Sequence, residues 1–362
     1  MINVLAQISE TVQQGLEIPI EHLRNVAIVG AGSIVEVGHL PAYGANGVPV
    51  VGITDVNRER AEALAERYSI PKVYASYQDL IADPSVEVVD VAVPTEFGPS
   101  IVRAAIENGK HVLSQKPFAL NPAEAQELAD LAHTNGVLVV VNQQLRFDEG
   151  IAAAKAMVDA GWIGEVVSFR IDVDIKVDWT YWGWLINSDQ LDLWYHSIHY
   201  MDAVRYFLGD PASVFCRATK MPGQAARGET RTTSLLLYPG EVQGTVQVNH
   251  ENTAGDGRAG FRIDGTAGSI RGTLGILANY PNGGPDTVEI RSNVLPTDGW
   301  LSYPATSRWI PDAMIGPMAS LLRGIATGSE PMTSGANNVG TVAIVAALYR
   351  SAASGQVEVP SR

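Results

Sequence analysis

The chain of 362 residues contains a single cysteine, Cys216, so it can form neither an internal disulfide nor a zinc site of four thiolates. It also lacks any apolar run close to the roughly 18 residues that span a bilayer. The first 24 residues are amphipathic and acidic, without the small-residue cleavage site of an export signal. These absences favour a cytoplasmic protein without a membrane segment or anchor.

Basic residues are also scarce. The chain has 25 Lys and Arg against 39 Asp and Glu, a net charge of -14, and no Lys/Arg cluster. Proteins bind nucleic-acid backbones through clustered positive charge, so nucleic acid is not the expected partner. With 46% hydrophobic and 18% charged residues the composition is globular, and the length suits two domains. We therefore expect a small-molecule partner.

The hydropathy pattern changes once along the chain. Over residues 25–146, runs such as VAIVG, VVGITD, VEVVDVAV and VLVVVN are apolar on both faces and alternate with Ala- and Glu-rich segments. This pattern is typical of parallel strands covered by helices and predicts a doubly wound α/β domain, preceded by an extension of residues 1–24. Over residues 147–362, strand patterns divided by Gly, Pro and Asn predict an α+β domain with a mostly antiparallel sheet.

A glycine-rich turn follows the first predicted strand, in VAIVGAGSIVEVGHLPAY. Gly30 and Gly32 fit the first two positions of the G-x-G-x-x-G/A fingerprint, which let the backbone approach a pyrophosphate at a helix N-terminus. Val35 occupies the third position, where its branched side chain should push the helix slightly outward. Asp55 ends the second strand, where a carboxylate can bind the ribose hydroxyls and repel a 2′-phosphate. The pattern predicts NAD in preference to NADP; a turn without a ligand is the alternative.

Four segments together resemble the Gfo/Idh/MocA oxidoreductases, the group of glucose-fructose oxidoreductase and inositol dehydrogenase: GAGSIVEVGHLPAY, DVNRERAEALA, AIENGKHVLSQKPFAL and HYMDAVRYFLGDP. The resemblance runs from about residue 25 to the last predicted helix. It implies a Rossmann domain, a second domain whose large open sheet forms homo-oligomers such as dimers or tetramers, and hydride transfer between nicotinamide and a sugar or polyol carbon.

The family's G-K-H-V-x-x-E-K-P motif stands here as GKHVLSQKP, with Gln115 in place of glutamate. The resemblance makes Lys116 the lysine that contacts the substrate hydroxyl. Independently, a lysine directly after a buried strand at the carboxyl edge of a sheet is desolvated, which lowers its pKa. Because Gln115 carries no negative charge, Lys116 should hold its proton less tightly. A surface lysine in a loop is the alternative.

The segment WYHSIHYMD is the second place where candidate catalytic residues gather. The family's D-x-G-x-H-x-x-D pattern makes His199 the counterpart of the catalytic histidine, with Tyr195 where the family has an aspartate and Asp202 as a structural residue. A phenol cannot raise the basicity of a histidine as a carboxylate does. Either Asp192 orients His199 instead, or Tyr195 contacts the substrate and Lys116 carries more of the proton transfer. The second possibility is favoured.

The same segment raises a metal hypothesis, because residues 193–207 are predicted to form one continuous helix. His196, His199 and Asp202 would be the ligands, but zinc ligands on a helix are usually spaced i, i+4, and no third soft ligand is apparent. We therefore predict no metal and interpret His196 as a structural residue.

Aromatic residues are concentrated in KVDWTYWGWLINSDQLDLW, and aromatic faces stack on sugar rings. This predicts Trp182 as a sugar contact, with core or interface packing as the alternative. Arg146, at the predicted domain junction, would bind an anionic or hydroxyl-rich substrate or form an ion pair. The predicted substrate site comprises Lys116, Arg146, Trp182, Tyr195 and His199, of which Lys116, His199 and Tyr195 are predicted to be catalytic. The predicted cofactor site comprises Gly30, Gly32, Ser33, Ile34, Asp55, Pro94, Thr95, Gln115 and Lys116.

The predicted function is that of an NAD-dependent sugar or polyol dehydrogenase. One alternative is a glycosidase on the same scaffold, which oxidises a sugar hydroxyl transiently, eliminates the aglycone and returns the hydride. A second alternative is a non-catalytic NAD-binding sensor, which the presence of Lys116 and His199 disfavours.

Overall fold

The computed structural model describes residues 2–280, 283–296 and 299–361, without the side chains of residues 2 and 3. The chain begins with helix α1, Ile2–Leu16. No helix in the described part of the chain is both long and apolar enough to cross a membrane.

The described residues form two compact units. The first unit comprises residues 14–144 and 310–342, and the second comprises residues 2–13, 145–309 and 343–361. Residues 310–342 thus belong with the first sheet, whereas the sequence division groups them with the second domain; Val141 N–H, for example, donates to the Thr333 carbonyl at 2.8 Å. The predicted ranges 25–146 and 147–362 stay a prediction.

A five-stranded parallel sheet forms the core of the first unit. Its strands are β1 Val26–Val29, β2 Val50–Thr54, β3 Val88–Val91, β4 His111–Ser114 and β5 Val139–Val141. Their spatial order is β2-β1-β3-β4-β5. The helices between them are α2 Leu40–Ala45, α3 Arg58–Tyr68, α4 Tyr77–Ala82, α5 Gly98–Glu107 and α6 Pro122–Thr134. Every residue of β1, β3 and β5 is buried, as expected of strands covered on both faces.

An eight-stranded sheet dominates the second unit. Its strands are β6 Val166–Asp174, β7 Ser213–Thr219, β8 Arg231–Leu237, β9 Gln243–Asn249, β10 Arg258–Gly265, β11 Gly268–Thr273, β12 Val288–Ser292 and β13 Leu301–Tyr303. The order is β13-β12-β11-β10-β6-β9-β8-β7, and only the β6–β9 pair is parallel. The predicted fold class, a parallel Rossmann-like sheet plus a mostly antiparallel one, is confirmed.

In the described part of the chain, three α-helices lie between residues 149 and 208, and two more follow the last strand. They are α7 Glu149–Asp159, α8 Asp192–Tyr195 and α9 Ile198–Leu208, followed by α10 Ile315–Thr327 and α11 Gly335–Ser354. The prediction of one continuous helix over residues 193–207 is wrong, because it is interrupted between α8 and α9. There the Ser197 hydroxyl donates to both carboxylate oxygens of Asp192, at 2.8 Å each, a side-chain contact of the kind that competes with helix geometry.

Two glycines of the first unit provide a matched test of its packing. A Cβ on Gly52, in β2, would lie 2.3 Å from the Tyr74 ring, whereas a Cβ on exposed Gly44, in α2, would meet open space. We expect Gly52→Ala to lower the free energy of unfolding by about 1–3 kcal/mol, because the ring or the strand must move. Gly44→Ala should raise it by about 0.5 kcal/mol, because alanine loses less backbone entropy in a helix.

Thermal and urea unfolding followed by circular dichroism would measure both effects. Equal midpoints for the two variants would contradict the close packing inferred at Gly52.

Candidate active site

The glycine turn of the first unit is defined by one close approach and one open position. Gly30 has φ of 111°, and a Cβ there would lie 2.3 Å from the Ala92 carbonyl oxygen, so only glycine fits. A Cβ on Gly32 would meet no atom within 4 Å. The turn therefore has the tight packing and the open backbone position that a dinucleotide fingerprint requires.

Asp55 contacts this turn directly. Its Oδ2 accepts a hydrogen bond from the Ala31 backbone N–H at 2.6 Å, and its Oδ1 accepts one from Asn57 N–H at 2.7 Å. A carboxylate has about four acceptor sites, so these bonds leave capacity for ribose hydroxyls. Asp55 thus has a positioning contact that sequence reasoning missed, besides its predicted contact with the cofactor.

The helix after the glycine turn contains Val35, the residue at the third position of the fingerprint. Val35–His39 forms a π-helical turn, in which each hydrogen bond spans one residue more than in an α-helix. Val35 is fully buried there. The π-helical turn passes directly into α2, which begins at Leu40.

Every residue of the predicted cofactor site lies in the first unit. Ser33 and Ile34 open the helix after the glycine turn, and Pro94 and Thr95 follow β3. Parallel strands present their carboxyl ends at one edge of a sheet, where dinucleotides bind in doubly wound folds. With the open position at Gly32 and the Asp55 carboxylate, these residues fit NAD.

A buried hydrogen-bonded network runs behind the same edge. Asp90 Oδ2, in β3, lies 2.6 Å from His39 Nδ1 and accepts a bond from the Tyr43 hydroxyl at 2.7 Å. Gln115 Nε2 lies 2.9 Å and Asn142 Nδ2 lies 3.1 Å from His39 Nε2. Because amide nitrogens only donate, His39 Nε2 is the acceptor and Nδ1 carries the proton that bonds Asp90.

Lys116 follows Gln115 in this arrangement. Its backbone N–H donates to Gln115 Oε1 at 3.0 Å. Burial lowers the pKa of the Lys116 amine to about 8, as the sequence argument predicts. A lysine with this pKa can exchange a proton near neutral pH.

In the second unit, His199 and Tyr195 lie among aromatic side chains. His199 is buried, and its ring contacts Trp309 edge to face with centroids 5.3 Å apart. Tyr195 is half-buried, and its ring contacts Trp184 in the same way at 5.3 Å. The two residues fall on either side of the interruption between α8 and α9.

Arg146 forms an ion pair within the second unit. Its guanidinium forms a bidentate ion pair with Asp202, with Nε–Oδ2 at 2.6 Å and Nη2–Oδ1 at 2.7 Å, and the two side chains are 3% and 1% exposed. Arg146 also lies over the Tyr206 ring. Of the two possibilities from sequence, the ion pair is observed, and a contact between Arg146 and substrate stays a prediction.

Asp192 bonds residues other than His199, the histidine that one of the sequence alternatives has it orient. Ser197 and Thr232 hydroxyls donate to its carboxylate at 2.8 Å, and His250 Nδ1 lies 3.3 Å from its Oδ1. Burial raises the pKa of Asp192 to about 6, although the Thr232 and Ser197 hydrogen bonds oppose the shift. Asp192 therefore does not orient His199, which favours the alternative in which Tyr195 contacts the substrate.

The four tryptophans of the aromatic segment divide into two classes. Trp179 and Trp194 are buried core residues, whereas Trp182 is half-buried and Trp184 is 50% exposed. The packing alternative is observed for the first pair, and Trp182 stays a predicted sugar contact.

Two sets of polar residues escaped the sequence reasoning. One is the network of His39, Asp90 and Asn142, for which an aspartate inside an otherwise apolar strand was the available signal. The other is His250, directly after β9, which lies beside Asp192 and His196. Burial lowers the pKa of His250 to about 3, so its imidazole is neutral.

Two family profiles match consecutive parts of the chain. One, described as the Gfo/Idh/MocA oxidoreductase family with an NAD-binding Rossmann fold, matches residues 24–143. The other, the C-terminal domain of the same family, matches residues 151–271. Together they cover about two thirds of the chain.

Characterised relatives match over almost the full length. D-apiose dehydrogenase from Rhizobium rhizogenes is 27% identical over 338 residues, which cover 91% of this chain and 95% of the relative. 1,5-Anhydro-D-fructose reductase from Ensifer adhaerens is 27% identical over 340 residues, covering 91% and 96%.

Solved structures share the fold. An oxidoreductase from Agrobacterium radiobacter, in complex with NAD+, L-tartaric acid and magnesium, superposes with a TM-score of 0.82 at 24% identity, covering 93% of this chain and 98% of that one. Levoglucosan dehydrogenase, in complex with NADH and levoglucosan, has a TM-score of 0.78 at 20% identity, covering 93% and 100%. The profiles, the relatives and the fold agree, and the chain belongs to the Gfo/Idh/MocA oxidoreductase family, with that family's NAD-binding Rossmann domain.

Proposed function

We propose that this protein is an NAD-preferring dehydrogenase that acts on a hydroxyl-bearing carbon of a sugar, sugar derivative or polyol. The observation that carries the proposal is Lys116, whose buried amine has a pKa of about 8 and follows β4 in the unit that contains the glycine turn and Asp55. NAD, when bound, supplies the hydride acceptor. The named relatives, which act on apiose and anhydrofructose, support a carbohydrate substrate.

Lys116 is the proposed proton acceptor. Its neutral amine takes the proton from the substrate hydroxyl, and the resulting ammonium stabilises negative charge on that oxygen. In the second unit, His199 and Tyr195 are the proposed polar contacts for substrate. Trp182 offers a half-buried aromatic face for a sugar ring.

The relatives favour net dehydrogenation over the glycosidase alternative, because those named above are dehydrogenases or a reductase. We also propose a cytoplasmic location and a homo-oligomer formed through the second sheet. The proposed interface is the face of that sheet on which Arg170, Arg231 and Arg262 lie beside Asp172 and Asp174.

A substrate panel tests the proposed function. We expect absorbance at 340 nm to rise when the enzyme is mixed with NAD and a suitable sugar or polyol. Lys116→Ala should reduce kcat by at least about 100-fold, the usual contribution of a positioned acid or base. Lys220→Ala, which removes an exposed lysine, is the matched control. NAD binding with no reduction by any substrate, or aglycone release without net NADH, would exclude the proposal.

The pKa of Lys116 predicts a pH profile. Because the neutral amine is the active form, kcat/KM for oxidation should fall about tenfold per pH unit below about 8 and level off above it. Gln115→Glu places a carboxylate beside Lys116, which favours the ammonium and should move the rising limb to higher pH. Gln78→Glu makes the same change at an exposed position in α4 and should leave the profile unchanged.

Initial rates from pH 6 to 10 would give both profiles. A limb that stays in place in Gln115→Glu would contradict this prediction.

Asp55 provides a test of cofactor preference. Replacing its carboxylate by an amide in Asp55→Asn removes the charge that repels a 2′-phosphate, so the ratio of kcat/KM for NAD to that for NADP should fall by about tenfold or more. Asp130→Asn, in α6, is the exposed control. An unchanged ratio would show that Asp55 acts only on the glycine turn.

A further inference from the structure

Three potential metal ligands converge in the second unit. One side-chain atom from each of Asp192, His196 and His250 lies within 4.8 Å of the other two. Asp192 begins α8, His196 lies in the interruption before α9, and His250 follows β9. None of these residues has a part in the proposed reaction.

The spacing of Asp192 and His250 suits ligands of a shared cation. His250 Nδ1 lies 3.3 Å from Asp192 Oδ1, yet this nitrogen makes no hydrogen bond to any described residue. Two ligand atoms at about 2.0–2.2 Å from a tetrahedral zinc ion lie about 3.3–3.5 Å apart. The distance between His250 Nδ1 and Asp192 Oδ1 is thus that of two atoms bound to one metal ion, although the two atoms do not form a hydrogen bond with each other.

The burial of these groups gives a cation an energetic role. Asp192 and His250 are both fully buried. Within the described residues the Asp192 carboxylate accepts hydrogen bonds only from the neutral hydroxyls of Ser197 and Thr232, and neither ring nitrogen of His250 has a hydrogen-bond partner. A buried carboxylate without an ion-pair partner and a buried ring nitrogen without a hydrogen bond both lower the stability of the fold. A divalent cation bound to both side chains would offset both costs.

Surrounding contacts hold the three side chains in place. The two hydroxyls fix the Asp192 carboxylate, and the Tyr200 hydroxyl lies 3.1 Å from His196 Nδ1. The buried Trp179 ring packs against both histidines, with centroids 5.4 Å from His250 and 6.4 Å from His196. Hydrogen bonds and packing of this kind orient metal ligands in known sites.

We propose that Asp192, His196 and His250 bind a divalent transition-metal ion of the zinc class. Two imidazoles and one carboxylate are a ligand set that such ions prefer, and three protein ligands leave a coordination position for water or for an oxygen of a bound molecule. The half-buried His196 gives the ion a route from solvent. This site is independent of the proposed dehydrogenase function.

Metal content provides the first test. Full-length protein without an affinity tag is stripped with a chelator, mixed with excess ZnCl₂, passed through a desalting column and analysed for zinc. We expect one equivalent to be retained and the thermal unfolding midpoint to rise with zinc. Substitution of CoCl₂ should give visible absorbance of a cobalt ion bound by nitrogen and oxygen. A protein that retains no zinc or cobalt overturns the proposal.

Variants assign the ligands. Zinc affinity should fall at least about 100-fold in His196→Ala and in His250→Ala. This loss exceeds the one expected from changing a residue that only hydrogen-bonds a metal ligand. His133→Ala removes an exposed histidine in α6 and should bind zinc as the unchanged chain does. Should His250→Ala fail to fold, the half-buried His196→Ala decides. Wild-type affinity in a folded His196→Ala would overturn the assignment, whatever the dehydrogenase activity.

Discussion

A carboxylate buried inside a parallel sheet sets the arrangement at the cofactor edge of the first unit. Asp90 is fully buried in β3, where a polar side chain needs hydrogen-bond partners. His39 and Tyr43 are the partners of its Oδ2, and the Nε2 of His39 is then available as an acceptor. Gln115 donates to that nitrogen, so the residue directly before Lys116 is held by a chain of contacts that begins at Asp90.

This chain of contacts explains the departure from the family motif at residue 115. The Gln115 amide can donate to His39 Nε2, whereas a glutamate carboxylate at this position would have no proton to donate. The same substitution replaces a charged side chain by a neutral one directly before Lys116. Burial lowers the pKa of Lys116 to about 8.

Local patterns determined what could be predicted. The apolar runs identified all five strands of the first sheet, and the close approach at Gly30 follows from its motif. The interruption of the helix near Ser197 was missed, since it depends on a side-chain contact. The Arg146–Asp202 ion pair and the position of His250 beside Asp192 join residues more than 50 positions apart, which periodicity and spacing cannot reveal.

The proposal that Lys116 is the proton acceptor is supported by the hydrogen bonds and ion pairs of the buried carboxylates in the second unit. In the second unit Asp202 is neutralised by Arg146, and Asp192 is held by Ser197 and Thr232. Neither carboxylate is therefore left to raise the basicity of a histidine, and the phenol at the position of the family's aspartate cannot do so near neutral pH. In the proposed reaction, proton transfer then depends on Lys116, whose burial lowers its pKa to about 8.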